Sequence, residues 1–572
     1  MTRGRRISFG GGAVGKACAG LLAGLVLAVP FASAEVVELT IVHTNDIHGG
    51  IHASDATFMS REFPPRLGGA ASMATVLKRL RAQVEADGGH FLLMDSGDIF
   101  QGTPIGNMTK GRAIVDFLNS SGYDIWALGN HEFDEGLQNC KDLVERARFP
   151  VLAANLVEEG TVRTVDWVRP WVIRDFGGLR VGIIGLITCE TENMSFPGNV
   201  EGLDFRPVIP TVRSVLPVLE ERGVDIVLMV GHLGVPYDRE GAYETRARDG
   251  WREEEDSRND SMDLAHSVTG VDAMFCGHIH KGFDDAFEDP DSHALLFQTY
   301  GRGSGAGIVT LSIDTETDQI VDHRFWTERG YLLSFFEDEF WPDPEVAEVI
   351  RKEVLDAEKG MDRLLGRATG VFSRRGTGVS PESPMGDAVC DAMLEETDAD
   401  FSFTNLGGIR DEFGPGSITP RDCFQVLPFG NKMVLFKMSG TLLREVVEMR
   451  ISGGHHGLYI GGGRLVYDMT RPDFDRVTSF EVGGKPWDPD AVYRVVTSDF
   501  LAQGNANLSM LPGVPEALRS YTGKTMRQAL ENWIQRHSPV TPATDGRWVE
   551  EPGAEQSPAL RAATAEGASS GS

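Results

Sequence analysis

The sequence predicts an α/β protein of more than one domain, and three observations lead there. Between about Val36 and Trp326, short apolar runs alternate with longer amphipathic stretches, which is how strands separated by helices read in a sequence. Five of those runs lead into Asp, Asn or His, residues that in such sheets converge on the one edge where ligands bind. A length of 572 residues with 41% apolar content is enough for two or three packed domains, and it rules out wholesale disorder, collagen and coiled coil.

The chain opens with an address. Arg3, Arg5, Arg6 and Lys16 precede an apolar, small-residue run from Ala17 to Phe31, and Ala32-Ser33-Ala34 has the form of a cleavage site. Residues 1–34 are expected to be a signal peptide, read by the general or the twin-arginine route, so the mature chain begins at Glu35 and is periplasmic or secreted. No cysteine stands at the cleavage point to take a lipid, and no later apolar stretch approaches the roughly 20 residues that span a bilayer, so no stable membrane anchor is expected. A first domain covers 35–338. Pro342-Asp343-Pro344 then opens a charged helical stretch, Glu345 to Leu365, expected to be a solvated connector within 339–365. A second region with its own strands and turns fills 366–549, and residues 550–572, rich in Ala, Ser, Gly and Glu, read as a disordered tail.

Charge narrows the partners. Asp and Glu number 84 against 54 Lys and Arg, a formal charge of -30. A polymer of nucleic acid is excluded as partner, because such binders draw most of their affinity from Lys and Arg on phosphates. Any phosphate must be held locally, by cations or a few arginines. Beyond the leader, Cys140, Cys189, Cys276, Cys390 and Cys423 are odd in number and lack C-x-x-C spacing, so they read as buried free thiols.

The chemistry follows the apolar runs. Leu39-Thr40-Ile41-Val42 leads to Asp46 and His48, Phe91-Leu92-Leu93-Met94 to Gly97-Asp98, and Ile125-Trp126-Ala127-Leu128 to Gly129-Asn130-His131-Glu132. Ile226-Val227-Leu228-Met229-Val230 leads to Gly231-His232, and Ala273-Met274-Phe275-Cys276 to Gly277-His278-Ile279-His280. Each piece alone also reads as a polar loop or a helix cap. Five in register with five strand ends read as a site. Imidazole and carboxylate together suit borderline divalent ions such as Zn, Mn, Fe or Co, and a carboxylate can bridge two of them about 3.5 to 4 Å apart.

In this order the motifs resemble the calcineurin-like metallophosphoesterase signature, and Asn130-His131-Glu132-Phe133-Asp134, the exported context and the second region are similar to the 5'-nucleotidase family of periplasmic and cell-surface phosphatases. The resemblance implies a four-layer αββα sandwich followed by a smaller α+β substrate-binding domain. It implies two divalent metal ions, one held by Asp46, His48, Asp98 and His280, the other by Asp98, Asn130, His232 and His278. It makes His131 and Asp134 a catalytic dyad beside a metal-bound hydroxide that attacks phosphorus. In the second region, Asn405-Leu406-Gly407-Gly408-Ile409-Arg410 stands where the family binds substrate, so Asn405 and Arg410 are expected to contact phosphate or sugar; Arg410 could instead fix its loop by a salt bridge.

The chain also departs from that family. Val379 stands where its members carry a further phosphate-binding arginine, with Arg374 and Arg375 nearby, and Gly457 and Leu508 fall where they clamp a base between two rings. Tyr459 is the ring available if the alignment moves by two residues. The reading is therefore an exported dimetal phosphohydrolase acting on 5'-nucleotides or related small phosphate esters and anhydrides. A 2',3'-cyclic-nucleotide phosphodiesterase and a non-nucleotide phosphatase are the alternatives within enzymes, and an exported binding protein with a vestigial metal site is the alternative outside them. Residues 238–260, polar and rich in Arg and Glu, either cover the pocket or form a solvated loop.

Overall fold

A computed structural model describes residues 36–551 apart from 57, 58, 61, 376–380 and 453–456. The leader at 1–34, Val379 and nearly all of the proposed tail lie outside the described residues.

Two sheets face each other in the first region. The first runs in the order 319–325, 305–314, 36–44, 90–95, 125–127, 151–152, with 332–334 paired beside 305–314; the second runs 287–288, 295–298, 273–276, 226–232, 179–187, 171–176. Strands 36–44, 90–95, 125–127 and 151–152 are mutually parallel, as are 179–187, 226–232, 273–276 and 295–298. A parallel strand has both faces covered, so it reads as one apolar run: all seven residues of Ile226–His232 are buried.

Successive side chains then divide between two cores. Leu39, Ile41, Leu92, Met94, Leu228, Val230 and Phe275 pack between the sheets. Val42, Leu93, Val227, Met229 and Met274 point outward under helices, among them Gly69–Ala86, which buries Val76, Leu77 and Leu80, and Val208–Glu221, which buries Ile209, Val212 and Leu219. The layers are helix, sheet, sheet and helix. Because the central strands of each sheet are parallel, their carboxyl ends share one edge, where the loops carrying the motifs emerge.

The stretch expected to be a solvated connector is a helix, Pro344–Ala357, capped by Asp343, whose side chain accepts from the backbone N–H of Glu345 and Val346. Val346, Ile350 and Val354 recur every fourth residue and, with Ala357, pack on the core of the first region. One apolar stripe among many charges is easily read as none.

The second region is built on a five-stranded sheet in the order 459–461, 401–404, 492–498, 432–439, 519–525. Val496 and Met433 face the helices Pro384–Thr397 and Met526–His537, while Val495 and Val434 face Gly440–Ile451. All five cysteines beyond the leader are free and buried. No helix among the described residues is long and apolar enough to cross a membrane.

Candidate metal centre

The five trailing strand ends bring their donors together. Asp46, His48, Asp98 and His280 place one donor atom each within 4.8 Å of one another, and Asp98, His232 and His278 do the same around a second point. Asp98 belongs to both groups. His232 Nε2 lies 2.9 Å from Asp98 Oδ2, His280 Nε2 lies 3.2 Å from Asp46 Oδ1, and His278 Nδ1 approaches His232 Nε2 to 3.2 Å. Asn130 completes the rim, its Oδ1 buried without a hydrogen-bond partner.

The backbone is bent to achieve this. Asp46, His48, Asp98, His278 and His280 have φ between +48° and +79°. A left-handed conformation costs a residue with a Cβ about 1–2 kcal/mol, so five of seven donors are strained together. Loops stitched to one another hold the strain: Asp46 N–H donates to Gly97 O at 2.9 Å and His48 N–H to Asp98 O at 3.0 Å. Gly129 is required by close approach, since a Cβ there would lie 2.3 Å from Asp98 Oδ1.

Partners behind the donors orient them. His48 Nδ1 donates to Gln101 O at 2.6 Å and His232 Nδ1 to Ser96 O at 2.8 Å, which turns the Nε2 of each inward. His48 Nε2 faces His280 Nε2 at 2.9 Å, an approach of two ring nitrogens that a shared cation relieves. Asp46 Oδ2 accepts from Asn45 Nδ2 and from His278 N–H, while its Oδ1 is buried and unpartnered.

Protonation preferences point the same way. Burial opposes charge on Asp98, yet His232 and His131 beside it hold it well below the usual carboxylate range; Asp46 is likewise lowered against burial, chiefly by His280. Burial and then His232 push His278 down to about 3, and burial keeps His48 and His280 neutral. His232 is the exception: burial opposes its charge, but Asp98 and then Asp46 outweigh it and raise it to about 10. The donor set is therefore two ionised carboxylates, three neutral imidazoles and one imidazolium whose Nε2 proton a bound cation would displace. Such residues fit divalent cations, and the two unpartnered oxygens are the sites a cation would satisfy.

His131 stands at the rim. Its Nδ1 donates to Asp134 Oδ2 at 2.7 Å, and its Nε2 lies 3.9 Å from Asp98 Oδ2. Burial disfavours the imidazolium, but Asp134 and Asp98 outweigh it and raise the pKa of His131 above the ordinary histidine value. From the second region, Phe429 stacks on the His131 ring at 5.5 Å, and the Arg410 guanidinium lies 5.7 Å from the centre of the Phe429 ring. Arg410 donates to Gly407 O and has no carboxylate within ion-pair distance among the described residues, so the alternative of a salt bridge is not what holds it. Burial, then Arg302 and Arg374, lower Arg410 to about 10. Arg374 donates to Arg410 O at 2.9 Å, and Arg302, from the first region, donates to Asp411 Oδ2 and to Arg410 O. Asn405 opens the same loop, partly buried.

Several contributors escape a reading by sequence motif. Glu132 accepts from the backbone N–H of Asp98, Ile99 and Gly129, tying two donor loops together. Phe429 belongs to a run, Pro428-Phe429-Gly430-Asn431, that resembles the family's second domain, but its contact with His131, like that of Arg302 with the Arg410 loop, is made only by the docking of the two regions. Gly457 has φ +82° with Pro381 and Trp548 where a side chain would go, and Leu508 is fully buried, so neither position offers a ring face. Tyr459 is buried too, its hydroxyl donating to Arg374 O, so it offers no free stacking face. The segment 238–260 is not a loose loop along its whole length: Arg239–Asp249 is a helix, and the segment is tied down by Arg246 to Asp260 and by Arg252 to Asp263.

A double sheet with this Asp, Asn and His cluster at its strand ends defines a metal-dependent phosphoesterase, a hydrolase of phosphoric esters. Residues 39–282 match the calcineurin-like phosphoesterase family and residues 364–513 the 5'-nucleotidase C-terminal domain. The chain belongs to the 5'-nucleotidase family. It is 28% identical to the snake venom 5'-nucleotidase of Crotalus adamanteus over 92% of each chain, and 28% identical to the 5'-nucleotidase of Homo sapiens over 91% of this chain and 92% of that one. A solved structure, the 5'-nucleotidase precursor from Thermus thermophilus, superposes with a TM-score of 0.76 at 26% identity, covering 90% of this chain and all of that one.

Proposed function

We propose that this chain is an exported dimetal phosphohydrolase that releases phosphate from nucleotides or closely related esters and anhydrides. The observation that carries the reading is the convergence of Asp46, His48, Asp98, His232, His278 and His280 on two points that share Asp98. In this proposal Asp46, His48, Asp98 and His280 hold one cation, Asp98, Asn130, His232 and His278 the other, and zinc, manganese and cobalt all suit the donors. Two such ions supply Lewis-acid polarisation of the phosphoryl group and a water nucleophile active at neutral pH.

The chain's own residues do the remainder. Asp134 holds the His131 Nδ1 proton and stabilises the imidazolium, so Nε2–H faces the reacting phosphoryl group, ready to stabilise charge or protonate the leaving oxygen. Phe429 fixes the plane of that ring. Arg410, with Arg374 beside it, gives the substrate phosphate a planar fork, and Asn405 a neutral partner. The leader read at residues 1–34 supports export.

One observation favours a second reading. With Gly457 tightly packed and Leu508 and Tyr459 buried, two-ring stacking of a base at these positions lacks its rings, which favours substrates recognised through phosphate, including non-nucleotide monoesters. The test is phosphate release by the chelator-stripped protein after adding back manganese, zinc or cobalt, on AMP, UDP-glucose, a 2',3'-cyclic nucleotide and generic mono- and diesters. Hydrolysis of AMP or UDP-glucose supports the nucleotidase reading, monoester turnover without nucleotide preference supports the second, and turnover of diesters alone or of nothing refutes both.

A further inference from the structure

At the outer edge of the second sheet lies another group of donors that the phosphoesterase chemistry does not use. His266 closes the short helix Ser261–Ser267, and Asp289 and Asp291 sit in the loop between the edge strand Phe287–Glu288 and Leu295–Gln298. The three place a donor atom each within 4.8 Å of one another.

Asp289 is the informative member. It is 0% exposed; its loop is turned by the Asp291 and Ser292 N–H groups, which donate to Oδ1, while Oδ2 is buried with no hydrogen-bond partner. A buried, unpartnered carboxylate oxygen is costly unless something positive satisfies it. His266 Nδ1 is the nearest candidate by chemistry, but it lies 3.0 Å from Asp291 Oδ2, makes no properly angled hydrogen bond and is itself buried and unpartnered. A protonated His266 paired with Asp291 would leave Asp289 Oδ2 unsatisfied. A cation among the three satisfies every orphan at once.

The 238–260 segment closes over this group. Trp251 stacks on the His266 ring at 3.6 Å with the planes 8° apart, which fixes the direction of Nδ1. Tyr243, from the helix Arg239–Asp249, donates to Asp291 Oδ2 at 3.1 Å and packs against Phe287. One carboxylate is thus oriented by a hydroxyl and the imidazole by an indole, the kind of outer support that metal donors receive.

We propose that His266, Asp289 and Asp291 form a third divalent-cation site, distinct from the dimetal centre, that takes a borderline ion such as zinc and fastens the 238–260 segment to the edge hairpin. One imidazole and two carboxylates leave a fourth position for water, which suits zinc, whereas calcium would ask for more oxygens.

The test counts ions and reads Trp251. The full mature chain, equilibrated with zinc and freed of excess by gel filtration, is compared by elemental analysis with Asp289→Asn, which keeps the shape and removes the charge, and with His266→Ala. Each variant is expected to carry one equivalent of zinc less than wild type, with phosphate release within about two-fold of it. Cobalt(II) is the second probe: its absorption quenches a neighbouring indole, so a phase of tryptophan quenching is expected in wild type and absent in Trp251→Phe and in Asp289→Asn. Should His266→Ala not fold, Asp289→Asn decides. An ion count unchanged in Asp289→Asn, or a quench that survives it, overturns the proposal.

Discussion

The parallel strands carry aspartates at leading ends and, on other strands, at trailing ends, and the two sets behave in opposite ways. At the leading ends, Asp124, Asp225 and Asp272 each precede a parallel strand, and each accepts the backbone N–H of a residue on the neighbouring strand: Leu93 at 2.9 Å, Arg180 at 2.7 Å and Val227 at 2.8 Å. The N–H of each of these aspartates in turn donates to the carbonyl of that same residue. Their side chains extend the ladder by one rung. At the trailing ends, Asp46 and Asp98 sit in left-handed backbone among imidazoles, and Asp46 keeps one oxygen without a partner. Residue type is therefore not what makes a ligand. A carboxylate satisfied by neighbouring backbone is structure; one held in strain with lone pairs left over awaits a cation.

The sharpest way to break this contrast is to neutralise one member of each set. Asp98→Asn is expected to lose bound metal and to drop turnover to background, beyond the roughly 10- to 100-fold that outer partners of metal donors are worth. Its leading-end counterpart, Asp225→Asn, should keep both. Elemental analysis and phosphate release read the two side by side, and equal losses would erase the distinction. The next largest effect belongs to His131→Ala. That variant is expected to keep its metal while turnover falls about 10²- to 10⁴-fold, the usual worth of a positioned acid or base. Metal loss there would move His131 into the donor set.

This difference also explains what was legible in the sequence. The sandwich and its ligand edge could be read because parallel strands leave continuous apolar runs, and because the residues that end them, from Asp46 to His280, are of the few types that bind cations. The leading-end aspartates were equally present, in Tyr123-Asp124-Ile125, Val224-Asp225-Ile226 and Val271-Asp272-Ala273, but the pairing that gives them a role spans up to 45 residues and leaves no local mark. Glu132 stands in a motif that could be read, but its role could not, since its partners are backbone N–H groups. The contacts of Phe429 with His131 and of Arg302 with the Arg410 loop depend on how one region docks on the other, whereas Arg374, noted near Val379, reaches Arg410 O within the second region. The buried stripe of the connector helix was masked by its charges.

Across the rim, where the second region meets the first, the expected effect is smaller and of another kind. Arg410 touches no donor, so Arg410→Ala should leave metal content alone and raise KM. A charge-assisted hydrogen bond to phosphate is worth about 1.5–3 kcal/mol, hence roughly 10- to 100-fold. Arg302→Ala should cost far less, because its contact to Asp411 is about half exposed and such pairs contribute about 0–1 kcal/mol. A fall in kcat with KM unchanged for Arg410→Ala would instead give that residue a place in the reaction itself.

The smallest effect separates the leading ends from the site altogether, because it concerns stability and pH alone. Burial raises the Asp272 carboxyl from 3.8 to about 6, against the Val227 N–H that favours its charged form. The folded chain therefore binds this proton more tightly than the unfolded one. The contribution of Asp272 to stability is fullest below about pH 4, declines as the pH rises towards about 6, and is flat above. Asn has the shape of the neutral carboxyl and can still accept from Val227. Asp272→Asn is thus expected to match wild type near pH 4 and to be more stable by about 1–2 kcal/mol at pH 7 to 8, after discounting for partial exposure. Denaturant unfolding at the two pH values, with phosphate release unchanged at pH 7, would bear this out. A variant less stable at both would mean that the charged oxygen's bond to Val227 outweighs its burial, so that the leading-end carboxylates serve as anions, as those at the trailing ends do.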